Sequence, residues 1–259
     1  MSKKIDRTGE ERVNSFGSKM VIKEYRNKRD IDIYFPEYNW TFEHVDYSNF
    51  KRGNVKCPYE RRYFNAGYLG EGKYKMHDEV SNPTKCYNAW YGMLTRCYNE
   101  KYHEKYPTYI DCEVYKEWLN FQNFGVWYED NYYEIKGERM ALDKDILIKG
   151  NKIYSPDTCI FVPQTINSLF IKRNKARGKS VIGTTPVNGK YKAQCQIFNP
   201  ETGKSKQEYL GTYDTQEKAF EVYKQFKERY IKRVAEHYKD QIPDKLYQAM
   251  YKYEVDIND

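Results

Sequence analysis

Two carboxylates and a lysine stand together in the run Asp143-Lys144-Asp145, within the β-type segment Met140 to Leu147. Carboxylate oxygens bind hard divalent cations such as Mg²⁺ or Mn²⁺. A lysine ammonium can hold a phosphate, and an amine whose pKa is strongly lowered can act as a base. Asp143 and Asp145 are therefore candidate metal ligands and Lys144 a candidate catalytic residue. The competing interpretation is a charged surface strand.

The elements around these residues predict a strand, a strand and a helix in succession. Gly150-Asn151 turns the chain after the first strand. Thr158 to Val162 is typical of a second strand, and Gln164 to Phe170 opens a helix. The pattern predicts a ββα unit that places the carboxylates on its first strand.

A second pattern lies between residues 181 and 213, where three β-type segments precede a long helix. Tyr191 to Ile197 alternates apolar and polar side chains, as in a half-buried antiparallel strand. Asn188-Gly189 is a strong two-residue hairpin signal. A three-stranded sheet cannot bury a core alone, so one face must pack on the helix and the other is left for a partner.

The long helix is predicted to begin after Asp214 as N-cap, with Glu217 completing a capping box. Apolar residues then recur every three or four positions and form one stripe. This stripe comprises Ala219, Phe220, Tyr223, Phe226, Tyr230 and Val234.

The segments GKYKAQCQI and YLGTYDTQEKAFEVY resemble the ethylene-response-factor (APETALA-type) DNA-binding domain, which also occurs fused to phage nucleases. The matching positions are Gly189, Lys190, Tyr191, Ala193, Leu210, Gly211, Tyr213, Asp214, Thr215, Glu217 and Ala219. The resemblance implies that the sheet enters the major groove of DNA. It assigns the reading positions to Thr184, Thr185, Lys192, Gln194 and Gln196. Arginines and tryptophan are usual there in the family and are missing here.

The middle of the chain resembles a phage HNH-type (homing) endonuclease family. The segments that match are AWYGMLTRCYNEKY, YIDCEVYKEWLNFQNF, MALDKDIL and NKIYSPDTCIFVPQTINSLF. The matched positions are Trp90, Met93, Arg96, Cys97, Tyr98, Trp118, Phe121, Phe124, Leu142, Asp143, Tyr154, Ser155, Pro156, Cys159, Val162 and Asn167.

The nuclease resemblance implies a metal held by Asp143, with Asn167 on the following helix supporting the site. The family's Asp-His pair is Asp143-Lys144 here, and Thr158 replaces a metal-binding Asn. Three outcomes follow. Lys144 or a borrowed residue serves as base, with Asp143 and Asp145 holding the metal; His103 or another distant residue is recruited; or the unit is catalytically silent and the protein only binds DNA.

Charge and composition favour a polyanionic partner over a membrane. The 259 residues carry a net charge of +7 and 28 tyrosines. We expect Lys172, Arg173, Lys175 and Arg177 to follow the DNA backbone. No apolar run approaches a membrane span, and the first residues have no apolar core typical of a signal peptide. We expect no membrane partner and no small-molecule cofactor.

The six cysteines contain no C-x-x-C pair, and most are expected to be buried thiols. A zinc site formed by Cys97, Cys112 and Cys159 with one further ligand is the less favoured alternative.

The sequence as a whole predicts an α+β chain of three modules: a small β-rich module at 14–74, an HNH-like domain at 85–170 and an ERF-type domain at 178–238. The function expected is sequence-preferring binding of double-stranded DNA, with metal-dependent nicking if the site is active. A phage-encoded protein in the cytoplasm of a bacterial host is implied. The alternatives are a silent DNA-binding regulator that keeps the nuclease frame, and an interaction module for another protein.

Overall fold

The computed structural model describes residues 5–171, 180–198 and 204–259, and the chain is α+β. It divides into two compact units, Met1–Asp130 and Asn131–Asp259. None of the helices in the described ranges combines the length and the apolarity needed to cross a bilayer.

The first unit begins with a sheet of four antiparallel strands in the order β1-β2-β3-β4. The strands are β1 (Glu11–Val13), β2 (Lys19–Asn27), β3 (Asp30–Phe35) and β4 (Trp40–Val45), and helix α1 (Tyr47–Arg52) follows. Met20, Ile22, Ile31, Ile33, Phe35 and Phe50 form its core. The small antiparallel sheet predicted from the β-type runs is therefore present.

The rest of the first unit is helical and rich in aromatic contacts. It contains α2 (Lys85–Tyr98), α3 (Glu100–Lys105), the short strand β5 (Glu113–Val114) and the start of α4 (Phe121–Asn131). The rings of Trp90 and Phe121 lie 5.3 Å apart. Both side chains are fully buried.

The helical spacing of Trp118, Phe121, Phe124 and Trp127 predicts a helix over 114–128, but the helix begins only at Phe121. The carbonyl of Trp118 accepts a hydrogen bond from the Trp90 indole at 2.7 Å. The carbonyl of Leu119 accepts the N–H of Tyr68 at 2.8 Å. These carbonyls are thus engaged by distant partners, so residues 116–119 form a 3₁₀ turn instead of a first helical turn.

The second unit contains the predicted hairpin and helix. Strands β6 (Met140–Asp143) and β8 (Ile160–Pro163) pair antiparallel, with the short strand β7 (Ile153–Tyr154) between them in sequence, and helix α5 (Gln164–Leu169) follows. Strand β6 ends at Asp143 rather than Leu147, because the Asp143 carboxylate accepts the N–H groups of Asp145 and Ile146 and turns the chain.

The C-terminal sheet has the order β11-β10-β9, with β9 (Thr184–Val187), β10 (Lys190–Phe198) and β11 (Ser205–Tyr213). Asn188 and Gly189 have φ angles of 49° and 76°, as the predicted two-residue hairpin requires. Two helices complete the unit, α6 (Gln216–Tyr238) and α7 (Asp244–Tyr251).

Helix α6 begins one residue later than predicted. Thr215 is the N-cap, and its hydroxyl accepts the N–H of Lys218 at 3.2 Å. Asp214 instead pairs with Lys190 of β10 at 2.8 Å. The predicted capping box of Asp214 and Glu217 is therefore wrong, because the cross-strand lysine engages the aspartate.

The second half of α6 shares one core with the hairpin, α5 and α7. The buried side chains of this core include Ile160, Val162, Ile166, Leu169, Tyr230, Ile231, Val234, Tyr238, Leu246 and Met250. The division between the two units falls inside the stretch 85–170, and 178–238 shares a core with the hairpin, while the three predicted domains stay a prediction.

We expect a fragment of residues 131–259 to unfold cooperatively and a fragment of residues 178–238 to lack a stable fold. The shorter fragment exposes Tyr230, Ile231, Val234 and Tyr238, whose burial is worth about 6–12 kcal/mol together, comparable with the whole stability of a small domain. Thermal unfolding followed by circular dichroism compares the two. Equal melting temperatures would contradict this packing.

Candidate functional site

The three C-terminal strands gather polar side chains on the face opposite helix α6. Lys192 lies opposite Thr185 on β9 and Thr212 on β11. Residues directly opposite each other in antiparallel strands share a face. Gln194 lies opposite Tyr209 in the same way. The resulting outer sheet face comprises Thr185, Lys192, Gln194, Gln196, Gln207, Tyr209 and Thr212.

This outer sheet face is accessible and free of carboxylates among its seven members. Tyr209 is 61% exposed, and Gln196 and Gln207 are also exposed. Lys192 is half-buried and makes no ion pair with any described residue. The face therefore offers one uncompensated ammonium among amide and hydroxyl groups.

Two hydrogen bonds orient side chains on the face. The Gln194 amide donates to the Thr185 hydroxyl at 3.4 Å. The hydroxyls of Tyr209 and Thr212 lie 2.9 Å apart. Four of the seven side chains are thus positioned before any partner binds.

Three members of the outer sheet face, Gln207, Tyr209 and Thr212, were missed by sequence reasoning. Gln207 and Tyr209 follow the two-residue period of β11, a signal that could have found them. Thr212 does not follow that period. Tyr209 pairs with Gln194 and Gly211 pairs with Ala193, so Leu210 is an extra residue in β11. Such a bulge returns Thr212 to the face of Tyr209.

Thr184, predicted to read DNA, does not lie on the outer sheet face. It is 5% exposed and pairs with Ala193, which packs toward helix α6. Its hydroxyl donates to the Val181 carbonyl at 2.9 Å and accepts from the Gln216 amide at 3.2 Å. Thr184 therefore joins the sheet to the start of α6. The predicted backbone contacts Lys172, Arg173, Lys175 and Arg177 lie outside the described residues.

The carboxylate pair lies where β6 ends. Oδ1 of Asp143 accepts the N–H groups of Asp145 and Ile146, both at 2.8 Å. Burial raises the pKa of Asp143 to about 6, and the neighbouring Asp145 adds to the rise, whereas the two N–H donors and Lys144 oppose it. Asp143 thus closes the turn and carries a negative charge that its surroundings only partly compensate.

Lys144 holds the loop that follows. It is 7% exposed, and its ammonium donates to the Asn151 carbonyl at 3.0 Å. The same ammonium lies 3.3 Å from the Asp145 carboxylate. The Asn151 amide returns hydrogen bonds to the carbonyls of Lys144 and Ile153, both at 2.7 Å. These contacts use the donors of a protonated amine, whereas a general base needs a free lone pair.

The pair fits a magnesium-type site better than a zinc site. Mg²⁺ commonly binds one or two carboxylates and completes its shell with water and phosphate oxygens. Asp145 is exposed, and Asn167 is half-buried on α5. No hydrogen bond between described residues connects Asn167 to either carboxylate. Thr158, which replaces the family's Asn, donates to the Ile153 carbonyl at 2.7 Å and so serves the loop.

A separate cluster in the first unit was also missed from the sequence. Asp30, Asp32 and His44 bring three ligand atoms within 4.8 Å of one another. The Arg26 guanidinium bonds to both aspartates, at 2.7 Å to Asp30. These contacts, with His44, lower the pKa of Asp30 to about 2. An arginine therefore stands where a cation would bind, and the cluster joins β2, β3 and β4.

All six cysteines are buried. Cys97 lies on α2, Cys112 precedes β5 and Cys159 precedes β8. A zinc site formed by these three cysteines stays the less favoured alternative.

The chain matches no protein-family model, curated protein or solved structure with which it was compared.

We expect Asp143→Asn to stabilise the protein more at neutral pH than at pH 4. Folding raises the pKa of Asp143 from its ordinary value of 3.8 to about 6, so the favourable contribution of the protonated carboxyl to the free energy of unfolding is fully present below pH 3.8. This contribution is lost as the pH rises through about 6 and the carboxyl ionises in the folded protein. Asparagine keeps the acceptor for both N–H groups but never ionises. The free energy of unfolding of Asp143→Asn should exceed that of wild type by an amount that grows to about 1–3 kcal/mol between these pH values, allowing for solvent screening.

Chemical denaturation at pH 4, 5, 6 and 7 measures this gain. Asp143→Ala is the matched variant, because it removes the acceptor as well and should cost about 1–2 kcal/mol at pH 4. A gain for Asp143→Asn that is constant across the series would contradict the shifted ionisation.

Proposed function

We propose that the protein binds double-stranded DNA through the outer sheet face. The observation that carries the proposal is the accessible, carboxylate-free surface of amides, hydroxyls and one unpaired lysine. A β-ribbon fits the major groove of B-form DNA, where base edges present their full donor and acceptor pattern. The net charge of +7 favours the same polyanionic partner.

Each side chain type has a distinct role on DNA. Gln196 and Gln194 can form the paired hydrogen bonds that select adenine. Lys192 can bind guanine or a phosphate, and the Thr212 methyl can contact thymine. Tyr209, whose hydroxyl is held by Thr212, offers a donor to phosphate.

The opposite face of the sheet supports this role by making the platform rigid. Ala193 and Ala219 are both fully buried between the sheet and α6. Their small side chains let helix and sheet approach closely. A Cβ on Gly183 would come within 2.1 Å of the Tyr223 ring, so the chain entering β9 is equally close to the helix. A rigid sheet loses little conformational entropy on binding.

The resemblance to the ERF-type domain supports the same face and the same groove. The fusion pattern of that family favours a phage-encoded protein acting on DNA in the cytoplasm of a bacterial host.

We expect Gln194→Ala and Gln196→Ala to lose sequence preference and Lys192→Ala to lose general affinity. A paired hydrogen bond to a base is worth about 1–3 kcal/mol of discrimination. A lost phosphate contact lowers affinity on all duplexes and reduces the salt slope by about 1. Wild type should show a slope of about −4 to −6 for four to seven phosphate contacts.

Fluorescence anisotropy with the full chain tests this, after a preferred duplex has been selected from a random library. Lys218→Ala is the control, because Lys218 carries the same charge on α6 and pairs with Glu221 at 2.6 Å. If Lys218→Ala and Lys192→Ala weaken binding equally, the outer sheet face is not the interface. Affinity independent of salt would overturn DNA binding itself.

Metal-dependent nicking is a second candidate function, favoured by the raised pKa of Asp143 beside Asp145. Asp143 and Asp145 would hold a Mg²⁺ or Mn²⁺ ion, which would stabilise the leaving oxygen of a scissile phosphate. Lys144 would then supply positive charge near Asp145 and keep the loop in place. Asn167 would support the site from α5.

We expect Asp143→Asn to abolish any nicking while DNA affinity stays unchanged, since asparagine keeps the turn and removes the charge. The measurement is conversion of supercoiled plasmid to open circles with Mg²⁺ or Mn²⁺, against EDTA. Asp157→Asn is the control, because Asp157 is an exposed carboxylate of the same hairpin region. No nicking by wild type would refute the nuclease and leave DNA binding standing.

A further inference from the structure

A cavity of about 500 Å³ lies in the second unit beside strand β10. Its walls come from the end of α5, from the three strands of the C-terminal sheet, from α6 and from residues 253–259. Gln194, Gln196 and Gln207 of the outer sheet face are among the lining residues. This volume lies within the usual range of small-ligand sites. Apolar side chains such as Leu169, Phe170 and Tyr253 share the lining with hydroxyl and amide groups.

Lys227 of α6 lines this cavity and is only 9% exposed. It stands four residues after Tyr223 and three before Tyr230, so it occupies a position of the apolar stripe. Burial lowers the pKa of Lys227, since a charged ammonium is costly to remove from water. A lysine at a core position is a local conflict of the kind that marks functional sites.

Lys227 lacks the partners that neighbouring lysines of α6 have. Lys218 pairs with Glu221 at 2.6 Å, and Lys224 donates to the Val255 carbonyl at 2.8 Å. Lys227 makes no hydrogen bond or ion pair with any residue in the described ranges. Its ammonium lies 5.8 Å from the centroid of the Tyr230 ring and interacts electrostatically with the Cys195 thiol.

Asp259, whose carboxylate side chain lines the same cavity, is already engaged. Asp259 accepts from the Lys149 ammonium at 2.8 Å and from the Asp256 N–H at 2.9 Å. The Tyr253 hydroxyl adds a third, longer contact at 3.4 Å. Within the described ranges, the positive charge of Lys227 is therefore not compensated by a carboxylate, which leaves it available to a bound anion.

We propose that this cavity binds a small monocarboxylate with an apolar body, its carboxylate on Lys227 and its body against Phe170 and Tyr253. One amine balances one negative charge, so a singly charged carboxylate fits Lys227 better than a multiply charged phosphate. The apolar part of the lining then contacts a hydrocarbon or ring. This site goes beyond the proposed DNA binding, since it needs no nucleic acid.

Isothermal titration of the full chain with octanoate, octanamide and inorganic phosphate, without DNA, tests the proposal. Octanoate should bind wild type at least tenfold more tightly than octanamide, which has the same body without the charge. Lys227→Met should lose this preference and keep the fold, since methionine fills similar space without a buried charge. Lys218→Met, the same change at an exposed site of α6, should keep the preference.

A measurement on wild type alone gives an independent result. Reductive methylation followed by mass spectrometry should show Lys227 protected by octanoate and not by octanamide. Three outcomes would overturn the proposal: octanoate fails to bind at millimolar concentration, Lys227→Met keeps the preference, or phosphate binds as tightly as octanoate. None of them depends on whether DNA binds.

Discussion

The apolar stripe of helix α6 is the constraint on which the second unit depends. Its first half covers one face of the C-terminal sheet through Ala219 and Tyr223, and its second half covers the hairpin and α5 through Ile231 and Val234. With 23 residues the helix is roughly 35 Å long, enough to serve both partners in line. Because the helix occupies the inner face of the sheet, the outer sheet face is the one left exposed.

Two charged groups of this unit have been placed where burial makes them costly. Asp143 closes the turn after β6 with its carboxylate, and burial raises its pKa, with the adjacent Asp145 adding to the rise. Lys227 interrupts the apolar stripe and faces a cavity. Lys144, by contrast, is buried together with an acceptor and a carboxylate, so its charge is compensated within the loop. The two incompletely compensated groups are the ones that a metal ion or an anionic ligand would stabilise.

Local patterns in the sequence were sufficient for most of the elements. The alternation of Tyr191 to Ile197, the Asn188-Gly189 turn and the stripe of α6 depend on neighbours within a few residues, so they could be predicted and the structure confirms them. The same is true of strands β2, β3 and β4 of the N-terminal sheet and of the ββα unit, whereas β1 lies outside the predicted module 14–74. Thr185, Lys192, Gln194 and Gln196 follow the period of their strands and share one face.

Other features were decided only by the tertiary structure, because they depend on contacts between residues that are far apart in the sequence. Helix α4 begins only at Phe121, because the Trp90 indole and the Tyr68 N–H donate hydrogen bonds to carbonyls of the preceding turn. The bulge in β11 brought Thr212 to the outer sheet face, since a single extra residue reverses the alternation. The sequence by itself determined which segments become strands and helices and which sheet face is polar. The packing of those segments determined where helices begin and which charges are buried, such as that of Lys227, because hydrogen bonds and burial depend on residues that no local pattern can identify.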